Sequence, residues 1–175
     1  MSMERAHFIE VLEDSFTAYY DIAEKNNELD LPLAFSALYF SRDERYWLSK
    51  KITVWANETN EHAYVFSAES FYPELADKCI EYAINDMLPK VKPHKEHQFT
   101  NVKVILVADS LPAETKKFIK KKAFTKSYNH SLHGFTNLHA AAVDLSEEKA
   151  YPNRAGHELK NYFSKLFAAQ RKAAK

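Results

Sequence analysis

The densest run of chemically competent side chains in this sequence is Lys116-Lys117-Phe118-Ile119-Lys120-Lys121-Lys122, followed by Lys126. At about 3.6 residues per helical turn, Lys116, Lys117, Lys120 and Lys121 share one side and Phe118 and Ile119 the other. The spacing predicts an exposed cationic face, with Lys116, Lys117, Lys120, Lys121 and Lys126 as contacts for an anion. Nucleic acid or another polyanion would gain counterion release there, and Tyr128, His130, His133 and Phe135 downstream offer stacking groups. Against this, lysines near a helix C-terminus also complement the macrodipole. Lys rather than Arg dominates the run, and the sequence pI of about 7.1 is not that of a dedicated nucleic-acid binder.

Two H-x-x-H spacings, His94 with His97 and His130 with His133, are the candidate metal ligands. Zinc on a helix prefers His at i and i+4 plus a third ligand, and zinc ribbons need paired cysteines. Here the pairs fall in predicted loops, with Glu96 the only carboxylate beside them and His139 a conceivable third ligand. They read first as surface or hydrogen-bonding histidines, and no cofactor is expected. Glu58, Glu61 and Glu69 could hold a hard cation or act as an acid and base pair. Beside Asn57 and Asn60 they read as solvated turn carboxylates.

Several chemistries are excluded by composition. The chain of 175 residues contains two glycines, Gly134 and Gly156, so neither G-x-G-x-x-G nor G-x-x-x-x-G-K-[ST] can be written, and a G-x-S-x-G elbow is ruled out too. The single Cys79 falls on the apolar stripe of a predicted helix, where a thiol is usually inert filling.

The elements that must position these groups follow from periodicity. Apolar residues from Phe8 to Ala23 recur on one side of a predicted helix over Glu4 to Lys25, with Glu10, Glu13, Asp14, Asp21 and Glu24 opposite, a stripe that reads as a solvated face rather than a docking site. From Leu31 to Ala68 the period changes to two. Leu33 to Tyr39, Tyr46 to Val54 and Tyr64 to Phe66 predict three strands, joined by polar links at Ser41 to Arg45 and Asn57 to Glu61. A second helix runs from Pro73 to Leu88. Val102 to Ala108 predicts a central strand covered on both faces. Asp109 and Ser110 supply cap chemistry for a helix to about Lys122. A polar strand-like stretch at Phe124 to Tyr128, a strand at Leu138 to Leu145, a short extension at Ala150 to Tyr151 and a terminal helix from about Arg154 complete the chain. The fold class is α+β: a single domain over 1–175, with an N-terminal helix, a three-stranded antiparallel meander, then helix, buried strand, helix, strands and C-terminal helix. A disordered basic tail is expected over about 170–175.

The order of the first six elements resembles restriction-endonuclease-like folds. That resemblance implies a divalent metal held by an Asp near the end of the second core strand and the Glu of an E-x-K on the third. The sequence departs from both: the second strand ends without an acid, and His62 to Glu69 contains no acid followed by Lys two residues on. E-x-K at Glu114 to Lys116 and at Glu147 to Lys149 lies in a predicted helix start and a turn. The strings Glu96-His97, Val102 to Asp109, Phe124-Thr125-Lys126, His133-Gly134-Phe135, Val143-Asp144-Leu145 and Asn153-Arg154-Ala155-Gly156 resemble a small family of prokaryotic domains without an assigned activity. The resemblance implies that Gly134 and Gly156 are positions the backbone requires, and that Asn153 caps the last helix.

Charge is sorted along the chain: residues 1–89 carry 17 Asp/Glu against 7 Lys/Arg, and residues 90–175 carry 7 against 17. A homo-oligomer pairing acidic and basic surfaces is one expectation, contact with nucleic acid or another polyanion a second, and an internal match of the two halves a third. No apolar run approaches the roughly 18 residues that span a bilayer, so no membrane partner is expected. The lone cysteine and charged start predict a cytoplasmic protein. The function the sequence favours is a soluble binding or assembly module with no recognisable catalytic motif. The alternatives are a nucleic-acid-associated domain of nuclease-like topology and a metal-dependent enzyme.

Overall fold

A computed structural model describes residues 4–23, 29–46 and 53–173. The described elements are four α-helices, α1 (Arg5–Thr17), α2 (Pro73–Met87), α3 (Ala113–Lys121) and α4 (Glu158–Ala173), one short 3-10 helix (Leu88–Lys90) and seven strands. The strands are β1 (Asp21–Ala23), β2 (Leu33–Tyr46), β3 (Thr53–Ala68), β4 (His97–Ala108), β5 (Thr125–Ser127), β6 (Phe135–Asp144) and β7 (Lys149–Pro152). They form one mixed sheet in the order β1-β2-β3-β4-β6-β5, with β7 also pairing β6. The arrangement is α+β, a single domain. The pairs β3–β4 and β4–β6 are parallel and the others antiparallel. The helices α2 and α3 are the crossovers that parallel neighbours require.

Each face of the sheet carries its own core. Against α2 and α3, Tyr64, Phe66, Val102, Val104, Leu106, Leu138 and Ala140 pack on Cys79, Ile80, Met87 and Ile119. Against α1 and α4, Phe35, Val65, Ile105, Val107 and Val143 pack on Phe8, Leu12, Phe16, Leu159, Phe163 and Phe167. Phe8 and Phe167 stack with centroids 5.2 Å apart, joining the first and last helices. Because β4 lies between two parallel neighbours with helices over both faces, its residues Val104 to Ala108 are all fully buried, as an apolar strand in that position must be.

The three-stranded meander is present, but its strands are not those the periodicity draws. It consists of β1, β2 and β3. Both polar links assigned to turns lie inside strands: Ser41 pairs with Thr59, Phe40 with Asn60 and Tyr39 with Glu61. Turn-like composition misled here because cross-strand pairing between β2 and β3, a tertiary contact, overrides local propensity. Leu48 and Ile52 of the expected middle strand lie outside the described residues. The first helix is also shorter than its pattern. It ends at Thr17, Tyr19 is 77% exposed, and Asp21 to Ala23 pair with Leu38 to Ser36 as β1. Lys25 lies outside the described residues.

Further differences are local. The N-cap of α3 is Pro112 without a side-chain cap; Asp109 instead pairs with Arg5, and the amide of Ser110 donates to the Glu69 carbonyl. Helix α4 extends to Ala173, into the stretch assigned to a disordered tail, with Arg171 bound to Glu148 at 2.6 Å in its last turn. Residues 174–175 lie outside the described residues.

Candidate functional site

Parallel register places polar residues of three strands side by side on the α1/α4 face. Glu61 aligns with Asn101 and Asn137, and one step on, Ala63 aligns with Lys103 and His139. Lys103 Nζ donates to Glu61 Oε2 at 2.9 Å and to the Tyr20 hydroxyl at 3.3 Å, while that hydroxyl donates to Glu61. Burial would raise the Glu61 pKa, but the Lys103 ammonium and hydrogen bonds from Tyr20, Lys103 and Asn101 hold it below the usual carboxylate value. Burial, then Glu61 beside it, pushes the Tyr20 phenol far up, so it stays a donor. His139 Nδ1 lies 2.7 Å from Glu158 Oε1 at the start of α4. The cluster leaves Glu61 neutralised by an ammonium and accepting from both Tyr20 and Lys103. It anchors the end of α1 and the start of α4 to the sheet.

The three hairpin glutamates do not converge. Glu58 Oε2 lies 2.7 Å from His94 Nε2, Glu61 pairs with Lys103, and Glu69 lies past the far end of β3. Among the described residues, no group of three or more His, Cys, Asp or Glu side chains is placed to hold a metal ion. His97 is 4% exposed, and both its ring nitrogens are engaged, Nδ1 with the His133 carbonyl at 2.7 Å and Nε2 with Thr100 Oγ1 at 2.9 Å. It latches a turn in which Asn129, His130 and Ser131 all have positive φ, followed by Gly134 at φ +78°. A Cβ on Gly134 would lie 2.4 Å from the Gln98 carbonyl oxygen and 2.6 Å from His97 Nδ1, so only glycine fits. His130 is exposed on this turn, and His133 Nε2 lies 3.4 Å from Asn129 Nδ2.

The lysines of α3 divide into two sets. Lys116 points inward, 2.9 Å from Asp144 Oδ2 and 2.8 Å from Glu147 Oε1. Burial would lower its pKa, but these two carboxylates raise it well above the usual lysine value. Asp144, 1% exposed, also accepts the Leu111 amide and the Ser146 hydroxyl; this cluster ties the start of α3 to the β6–β7 turn. Lys122 pairs with Asp77 of α2. Lys117, Lys120, Lys121 and Lys126 are exposed, with Lys126 Nζ lying 5.6 Å from the Tyr128 ring centre.

Lys120 opens onto a groove of about 770 Å³ that is lined also by Glu148, Lys149, Tyr151, Pro152, Arg154, His157 and Lys160. Its walls come from the end of α3, from β7, and from the turn that leads into α4. The turn is set by Asn153, 2% exposed. Asn153 Oδ1 accepts the amides of Ala140 at 3.0 Å and Gly156 at 2.8 Å, and Nδ2 donates to the carbonyls of Lys122 at 3.0 Å and Leu138 at 2.9 Å. It therefore crosslinks three segments instead of capping α4, which starts at Glu158. Gly156 is required because a Cβ there would lie 2.9 Å from Asn153 Oδ1. Of the lining side chains Glu148 is the one carboxylate, and Arg171 holds it. Among the described residues, no carboxylate pairs with Lys120, Lys149, Arg154 or Lys160.

Lys120 is the sequence-predicted site residue that lines this groove. Sequence reasoning missed Lys149, Arg154, His157 and Lys160, which are scattered over a turn and a helix start. It missed the Glu61–Lys103 pair too, although a lysine inside the apolar run Val102 to Ala108 was a visible signal.

A family model described as Domain of unknown function (DUF8052) matches residues 4–165. The match reaches well beyond the second-half strings that suggested a family of unassigned activity. No curated protein and no solved structure matches the chain. Among the described residues, no helix is long and apolar enough to cross a membrane.

Proposed function

We propose, for a chain that belongs to this DUF8052 family of unknown function, a role as a binding module whose ligand is anionic and sits in the groove between α3, β7 and the start of α4. One observation carries this reading: Lys120, Lys149, Arg154 and Lys160 surround a concavity of about 770 Å³ without carboxylate partners among the described residues, and its one lining carboxylate is already bound to Arg171. The volume falls within the usual range of ligand sites. Unpaired cations facing a common concavity repel one another, so an anion placed between them relieves that repulsion as well as contributing its own attraction.

The test is calorimetric titration with inorganic pyrophosphate at low salt, comparing the native chain with Lys149→Gln/Arg154→Gln. Saturable, salt-sensitive binding that the double variant loses supports the reading. No binding, or binding that both chains share equally, would overturn it.

A further inference from the structure

The groove cations come from four separate segments: Lys120 from α3, Lys149 from β7, Arg154 from the following turn and Lys160 from α4. A ligand that satisfies all four carries several negative charges. Lys117 and Lys121 extend the same charge outward along the exposed side of α3. Tyr151 and Pro152 supply an apolar stretch of wall. Charge that tracks a backbone, with an aromatic wall for the bases, is the combination that binds single-stranded nucleic acid without reading its sequence. Stacking on an aromatic wall needs unpaired bases, which a single strand offers and a duplex keeps inside its helix.

Resting on the anion-binding reading above, we propose that the ligand of this groove is single-stranded nucleic acid, held by backbone phosphates on Lys120, Lys149, Arg154 and Lys160. Four phosphate contacts to a single strand predict a log–log salt slope of about −3.

The experiment measures fluorescence anisotropy of labelled oligothymidylates of increasing length across a salt series, with a labelled hairpin duplex, pyrophosphate and polyglutamate as further probes. Expected are affinity that rises with strand length up to the groove's span, a slope near −3, and weaker binding to the duplex. Lys149→Gln and Arg154→Gln should each weaken the strand several-fold and reduce the slope by about 0.7. Circular dichroism checks that these surface variants keep the fold. Equal binding of duplex and strand, or polyglutamate competing as well as the oligonucleotide, overturns the inference and leaves the anion site standing. Pyrophosphate binding without any strand binding has the same meaning. Failure of every anion overturns both.

Discussion

Lys103 Nζ lies 2.9 Å from Glu61 Oε2 across the parallel pair β3–β4, both side chains half-buried on a sheet face whose next row is Phe35, Val65, Ile105 and Ala141. Removing one partner strands a charge where water reaches it poorly, whereas removing both does not. Lys103→Met should therefore cost about 2 kcal/mol, and Glu61→Gln/Lys103→Met much less than the sum of the single changes. Urea denaturation of the four chains measures this coupling, and strictly additive costs would refute it. The pH dependence follows from the lowered Glu61 pKa: the pair stabilises fully above the ordinary carboxylate value of about 4.3, and that contribution disappears as pH falls through the folded-state value. Glu61→Gln should flatten this acid limb.

His62 titrates in the opposite chemical sense with the same direction of effect. Burial, reinforced by Lys90 and opposed by Asp86, lowers its pKa to about 4. The unfolded chain then binds a proton in the window from about 6.5 down to about 4 that the folded chain refuses, so stability falls across that window by up to about 3 kcal/mol and levels off below it. Melting temperatures between pH 7 and pH 4.5 should drop less for His62→Gln than for the native chain. Parallel pH curves would show that His62 does not contribute.

Asn153 satisfies four backbone groups at once, through three buried hydrogen bonds and one part-buried one to the Lys122 carbonyl. Asn153→Ala should cost about 3 kcal/mol or more. Asn153→Asp should also be costly, because a carboxylate cannot donate to the Lys122 and Leu138 carbonyls. A substitution at this site that leaves the urea midpoint unchanged would contradict the crosslink.

At Gly134 the obstacle is geometric, since both the positive φ and the backbone contacts resist a side chain. Gly134→Ala should destabilise by about 2 kcal/mol or more, and amide exchange should speed up in the His97-latched turn first. Unchanged exchange there would show that the latch does not hold the turn.

Lys116 and Lys120 sit one helical turn apart with different expected fates. Lys116→Ala takes an ion pair from Asp144, which is 1% exposed, and should lower stability by about 1–3 kcal/mol while leaving groove affinity unchanged. Lys120→Ala should do the reverse, with stability within about 0.5 kcal/mol of the native chain. If Lys116→Ala abolishes anion binding while the fold persists, the division of the α3 lysines is wrong.

The elements legible in the sequence were those whose pattern reports burial directly: α2 with its three- and four-residue apolar steps, the continuous apolar run of β4, and α4. The long β2–β3 hairpin was not legible, because its polar stretch at 57–61 has turn composition and pairs only through tertiary context. The end of α1 was hidden for a related reason, since pairing with the edge of β2 and the approach to Glu61 outweigh a helical pattern that continues past Thr17.

Charge shows the same division. The sequence by itself determined that acids concentrate in the first half and bases in the second, that glycine-dependent phosphate loops are impossible, and that the helix after β4 carries a lysine cluster. Tertiary structure decided which charges are consumed. Glu61 with Lys103, Asp77 with Lys122, Asp86 with Lys90 and Glu58 with His94 each join an acid of the first half to a base of the second. Asp86 and Lys90 are one helical turn apart, but register and helix packing bring the other three pairs within reach across 36 to 45 residues of sequence, a proximity that no local spacing encodes. The bases left over at Lys120, Lys149, Arg154 and Lys160 share one groove because α3, β7 and α4 meet at that edge of the sheet.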